Sequence, residues 1–300
     1  MKNKIALVLF LTTIFNLNFS QENKMTISEL RSKIISKIDS VEGDFAVAFR
    51  DLSNSGNEIM VNEKETFHAA STMKTPVMIE VFKQSDENKF DLTDSILIKN
   101  EFKSIVDSSI FSMDIDRDSG ENFYECIEQK KPIIELVKDM ITVSGNLTTN
   151  ILIEIVNAKN ITETMRDLGA KDIKVLRGVE DMKAYELGLN NTVTAYDLML
   201  IFKAIAEGEI VSEDVCKQML DILMQQKFRS KIPALLPEDV KVANKTGSIS
   251  GVEHDSGIVF LPDGRKYVLV ILAKNLLDTE AGIKVEAEIS KMIYDFIIEQ

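Results

Sequence analysis

The period of the apolar residues changes twice along this chain, and that order constrains the fold more than any single motif. ISELRSKIISKIDSV (27–41) has helical spacing, with Ser28 as the cap and Glu29 in the first turn. GDFAVAFRDL (43–52) and EIMVNE (58–63) read as two strands joined by the turn SNSGN (53–57). From Thr72 to about Gly208 the spacing is mostly helical, in TPVMIEVFKQ, PIIELVKDMI, LTTNILIEIVN and TAYDLMLIFKAIAEG, with polar irregular stretches at 101–124 and 177–191. A helix is predicted over SEDVCKQMLDILMQQ (212–226). Strands then return in VKVANKTGS (240–248), DSGIVFL (255–261) and KYVLVILAKN (266–275), the last two joined by PDGR (262–265). TEAGIKVEAEISKMIYDFIIE (279–299) closes the chain as an amphipathic helix whose apolar stripe needs a sheet to cover. A helical block interrupting one sheet predicts an α/β fold: an antiparallel sheet flanked by N- and C-terminal helices, plus an inserted all-α domain, with a cleft where the two meet. The expected division is 21–70 with 209–300 for the α/β domain and 71–208 for the all-α domain.

Residues 1–20, MKNKIALVLFLTTIFNLNFS, stand outside that order. Lys2 and Lys4, the apolar run that follows and the small Ser20 read as a secretory signal peptide. The expectation is a bacterial protein that is periplasmic or secreted, with no stable membrane association once the signal is removed. A net charge of -13 argues against nucleic acid as a partner, because phosphate binding needs clustered Lys and Arg. Cys126 and Cys216 are far apart in sequence and read as two unpaired buried thiols, although an oxidising compartment would permit one disulfide. His68 and His254 are the only histidines, and no cluster has metal-ligand spacing, so neither a metal nor a cofactor is expected. A monomer is the default.

Three short motifs carry chemistry. In FHAASTMKTP (67–76), Ser71 and Lys74 stand three residues apart at a helix opening, one turn apart on one face, so the amine is expected within hydrogen-bond reach of the hydroxyl. A serine needs such an adjacent base to be a nucleophile, and a buried lysine can serve. Taken alone, Ser-x-x-Lys is more often a helix cap followed by a solvated lysine. MITVSGNLTTN (140–150) puts Ser144, Gly145 and Asn146 in a polar break between two helices, offering a hydroxyl relay and an amide. Lys245, Thr246, Gly247 and Ser248 lie on a strand with small residues, beside which a substrate backbone could lie. The three in this order and these contexts are far more specific than any one.

On these residues the chain resembles the class A β-lactamases and, more broadly, the penicillin-recognising serine hydrolases. The resemblance runs from about Ile27 to the C-terminus and is strongest at ASTMK, ITVSGNLTTNILIE, RGVEDMKAYELGLNNT and NKTGSISGVEHDSGIVFLPDGR. It implies the β-lactamase/transpeptidase-like fold and a small-molecule β-lactam substrate. It also implies a Ser71 nucleophile served by Lys74, with Ser144 passing a proton to the leaving nitrogen and Asn146 holding the substrate's amide. Lys245, Thr246 and Ser248 would bind the carboxylate, and the N–H groups of Ser71 and Ser248 would form the oxyanion hole. The deacylating base would be a glutamate on the omega loop, where two candidates remain. Glu186 matches the E-x-x-L-N pattern letter for letter, while Glu180 is better placed in register. The other would cap a turn or pair with Arg177. The alternative is a serine D,D-peptidase or esterase of the same fold with slow β-lactam turnover.

The chain also departs from that family's pattern. Gly145 replaces the usual aspartate, removing a structural hydrogen bond, and Ser256 falls where an arginine usually assists the carboxylate. Arg229 or Lys231 would substitute, or the carboxylate would be held less firmly. The stretch 100–125 is long and would border the cleft. His254, between Glu253 and Asp255, reads as a surface turn residue rather than an acid-base group.

Overall fold

The computed structural model describes residues 24–54 and 56–300; the expected signal peptide lies outside them. Helix α1 (Ile27–Ile38) is capped by Thr26, not by Ser28. The Thr26 side chain accepts from Glu29 N while the Glu29 carboxylate accepts from Thr26 N, a reciprocal cap that only a residue at that spacing can close.

Strands β1 (Asp44–Asp51), β2 (Glu58–Val61), β3 (Lys241–Ile249), β4 (Val252–Phe260) and β5 (Lys266–Lys274) form one antiparallel sheet in the order β2-β1-β5-β4-β3. The fold is thus the expected α/β arrangement. In FAVAF, Phe45, Val47 and Phe49 face one way, under α1 and the C-terminal helix α9 (Thr279–Glu299), while Ala46 and Ala48 face the helical block. Alanines on that face let helix α7 (Ala195–Glu207) lie close to β1, β4 and β5. The sheet therefore separates two cores, one shared with α1 and α9 and one shared with the helical block.

That block contains α2 (Lys74–Asp86), α3 (Ile133–Thr142), α4 (Asn146–Val156), α5 (Ala158–Asp167) and the short α6 (Met182–Glu186), besides α7. Helix α8 (Glu213–Leu223) packs against α3 and α7 through Cys216, Met219, Ile222 and Leu223. The two stretches that read as irregular are ordered by polar contacts. The first pairs Phe102–Lys103 with Ile110–Phe111, and the second holds α6.

Strand β4 begins at Val252, three residues earlier than the sequence suggests, because Ser250 and Gly251 make a two-residue turn back from β3. His254 is consequently not a surface turn residue. It is wholly buried in β4, where its ring contacts the carbonyls of Glu253 and His68, and burial pushes its pKa down to about 4. Cys126 and Cys216 are unpaired; Cys216 is buried, but Cys126 is only half-buried, in a 3-10 turn at the surface. Among the described residues no helix is long and apolar enough to cross a membrane.

Candidate active site

The edge strand β3 runs past a single 3-10 turn, Ala70–Met73, that leads into α2. Ser71 sits in that turn. Ala70 before it has φ 43°, a left-handed conformation that costs a residue with a Cβ, and its N–H donates to His68 Nδ1. The strand comes this near because position 247 is glycine: a Cβ there would lie 3.2 Å from both Ser71 N and Ala70 Cβ.

Lys74 is fully buried at the start of α2, and its amine donates to Ser144 O at 2.7 Å, Asn146 Oδ1 at 2.8 Å and Ser144 Oγ at 3.2 Å. None of its hydrogen bonds goes to Ser71, contrary to the expectation from i, i+3 spacing. The break between α3 and α4 offers three better-aimed acceptors. Burial pushes the Lys74 pKa down to about 8, with Asp118, Asp139 and Glu180 acting in the opposite direction. Lys245, fully buried on β3, donates to Ser144 Oγ at 3.1 Å and to Thr246 O at 2.9 Å; burial, then the Lys74 charge, holds its pKa well below the ordinary value. Two amines thus converge on one hydroxyl, which turns the Ser144 proton away from both whenever both are charged.

Ser144 has φ 62°, and Glu180 has φ 61°. With Ala70, strained backbone recurs at three points around one cleft. The Asn146 side chain spans it: Oδ1 accepts from Lys74, and Nδ2 donates to Glu180 Oε1 at 3.0 Å. Glu180 is half-buried, and desolvation raises its pKa despite that hydrogen bond. Glu186 ends α6, is exposed, and lines neither lobe of the cleft. The structure thus brings Glu180, and not Glu186, together with Ser71.

The cleft has two lobes of about 410 Å³ each, which share Ser71, Arg117, Asn146 and Ser248. One adds Ser144, Lys231, Thr246 and Glu253. The other adds Val179, Glu180, Met182, Tyr185 and Ile249. Arg229 is exposed and lines neither, whereas Lys231 is buried at the first lobe. Arg177 pairs with neither glutamate. Its guanidinium donates to Leu189 O, Gly178 O and Asn190 Oδ1, which ties the two ends of the 177–191 loop together.

Several residues that hold the site were not singled out by the sequence. Asp118, from the long stretch before α3, accepts from Gly120 N, Asn146 N, Leu147 N and the Tyr124 hydroxyl, so it caps α4 from outside. A Cβ at Gly145 would lie 1.9 Å from Asp139 Oδ2, so the junction has no space for a larger residue. Asn150 grips the main chain beside Glu180, accepting from Val179 N and donating to Val179 O. Its place one turn beyond Asn146 was a usable signal; Asp118 left none. Arg117 projects from the same stretch into both lobes. Among the described residues no group of His, Cys, Asp and Glu could hold a metal ion.

A β-lactamase of Bacteroides uniformis is 23% identical over 312 residues, covering 97% of this chain and 98% of that protein. A class A β-lactamase structure from Bacteroides cellulosilyticus superposes with a TM-score of 0.77 at 24% identity, covering 93% of this chain and all (100%) of the other. PBP-A superposes with a TM-score of 0.78, also at 24% identity, over 92% of this chain and 98% of its own. Residues 29–297 match the family described as the beta-lactamase enzyme family, a span that takes in both walls of the cleft, and this chain belongs to that family.

Proposed function

We propose that this protein hydrolyses the β-lactam amide bond through an acyl-enzyme on Ser71, which water activated by Glu180 then releases. The two walls would be the sheet-bearing part (21–70 with 209–300) and the helical part (71–208). One observation carries the reading: a single amide, Asn146, joins Lys74 beside Ser71 to Glu180 across the cleft.

In the acylation step Ser71 Oγ attacks the lactam carbonyl and its proton passes to neutral Lys74. A pKa of about 8 leaves a useful neutral fraction near pH 7. Charge on the carbonyl oxygen would be met by the N–H groups of Ser71 and Ser248. Strand alternation supports the second donor. Ile249 and Val252 close the two-residue turn as a hydrogen-bonded pair, so Ser248 and Glu253 form the next, non-hydrogen-bonded pair and the Ser248 N–H faces the free edge. As the C–N bond breaks, Ser144 donates its proton to the leaving nitrogen and recovers one from Lys74 or Lys245. Lys245 and Thr246 meet the substrate's carboxylate.

In the second step a water held between Glu180 and Asn146 loses its proton to Glu180 and attacks the ester carbonyl, and Ser71 leaves with a proton returned through Lys74. A carboxylate whose pKa is raised by burial is the stronger base for that task. Mass spectrometry of the protein mixed with a cephalosporin, sampled from seconds to hours, tests the scheme. A Ser71 adduct that forms and vanishes while product exceeds one equivalent is expected. A persistent adduct would instead describe a penicillin-binding hydrolase of the same fold.

A further inference from the structure

Lys231, a buried cation on the wall of the lobe that holds Ser71, already has all its donors engaged. Lys231 Nζ lies 2.6 Å from Glu253 Oε2, 2.9 Å from His254 O and 3.1 Å from Gly247 O, and an ammonium has three N–H bonds to give. Its side chain and that of Glu253 are 4% and 5% exposed, so solvent scarcely screens the pair. Behind them lie two further carboxyl groups, Asp255 on β4 and Glu286 on α9, both fully buried; burial raises the pKa of each, and the Lys231 charge acts in the opposite direction. The Ser248 hydroxyl also donates to Glu253, through Oε1 at 2.7 Å.

Glu253 reaches these groups because β4 places it directly across from Ser248, on the wall of the lobe that also holds Ser71, Ser144 and Thr246. Two of the polar groups best placed to receive an anion therefore already serve an internal one. An incoming carboxylate reaches Arg117 and Thr246 on the wall of this lobe, with the Lys245 amine buried behind Thr246, but at Lys231 and Ser248 it meets a carboxylate of like charge.

We propose that Glu253 is a specificity-determining residue: it occupies the anion end of the cleft and lowers the advantage of substrates with a free carboxylate over their neutral counterparts. The proposal rests on the β-lactamase reading only for the identity of the ligand. Its test reads binding, so the two can fail separately.

In a Ser71→Ala background, which prevents acylation, dissociation constants are measured for a cephalosporin with its free carboxylate and for its methyl ester. They are compared with and without Glu253→Gln, a change that keeps shape and acceptor but removes the charge. The acid is expected to tighten about tenfold in the Gln protein while the ester changes less than twofold. Equal change for both ligands, weaker binding of the acid, or no binding of either would overturn the proposal. Should Glu253→Gln fail to fold, shown by loss of its thermal transition, the Ser71→Ala protein alone decides. An acid-to-ester preference within about tenfold supports the proposal, and a larger one overturns it. Turnover of the acid by the unsubstituted protein separately reads the enzymatic assignment. Turnover without the Glu253 effect sinks only the proposal, and the Glu253 effect without turnover sinks only the assignment.

Discussion

The two sides of the cleft are built in different ways. The Ser71 side rests on regular elements: Lys74 in α2, Ser144 at the α3–α4 junction and Lys245 in β3, with both amines wholly buried. The Glu180 side is a loop, held by side chains that grip main chain: Arg177 on its exit, Asn150 on Val179, and Asp181 accepting from Ser104 Oγ and Ile105 N of the neighbouring stretch. A side packed into cores resists displacement as a unit. A side held by a few hydrogen bonds can be loosened one bond at a time. Forming the acyl-enzyme and releasing it should therefore be separable by substitution.

The largest effect should be common to both steps. Ser71→Ala is expected to reduce kcat/KM on the order of 10^4-fold or more, read by cephalosporin hydrolysis, because no acyl-enzyme forms. Retained turnover would end the comparison. Glu180→Gln should split the two sides: adduct formation on Ser71 continues, while its release slows about 10^2- to 10^4-fold, as expected for a lost general base. Glu186→Gln, in the same assay, should stay within about twofold, since its exposed side chain touches neither lobe.

Next in size is pH. Lys74 accepts a proton only when neutral, so the adduct-forming rate should rise with pH and level off above about 8. In the proposed scheme Glu180 acts ionised, and burial raises its pKa, so the release rate should fall as pH drops through that raised value. Stopped-flow and single-turnover measurements across pH would read the two limbs separately; coincident profiles would argue that one group governs both steps. A smaller and more local change is Arg177→Met, which leaves loop carbonyls without donors. A stability loss of about 1–3 kcal/mol is expected by denaturant titration, with release slowed more than adduct formation.

How much of this was legible in the sequence follows the same division. The Ser-x-x-Lys, Ser-x-Asn and Lys-Thr-Gly residues lie at element boundaries that apolar spacing marks out, so their contexts were readable from local pattern. The choice between Glu180 and Glu186 was not. E-x-x-L-N at 186–190 is a local match, but which carboxylate turns toward Ser71 depends on Asn146, Asn150 and a left-handed backbone at Glu180. His254 and Asp118 show the same limit. A histidine between two acids reads as surface, yet the two-residue turn at Ser250–Gly251 starts β4 early enough to take His254 into the sheet, where it is buried. Asp118 lies 28 residues from the Asn146 N–H it accepts, with no pattern linking the two.

The sequence by itself determined the order of the main helices and strands and the three motifs, because periodicity and spacing act within one element. Tertiary structure alone decided which glutamate faces Ser71, that Asp118 caps α4 from outside, and that Glu253 pairs with Lys231. Those outcomes depend on polar side chains meeting across elements, and only the packed fold brings their donors and acceptors within reach.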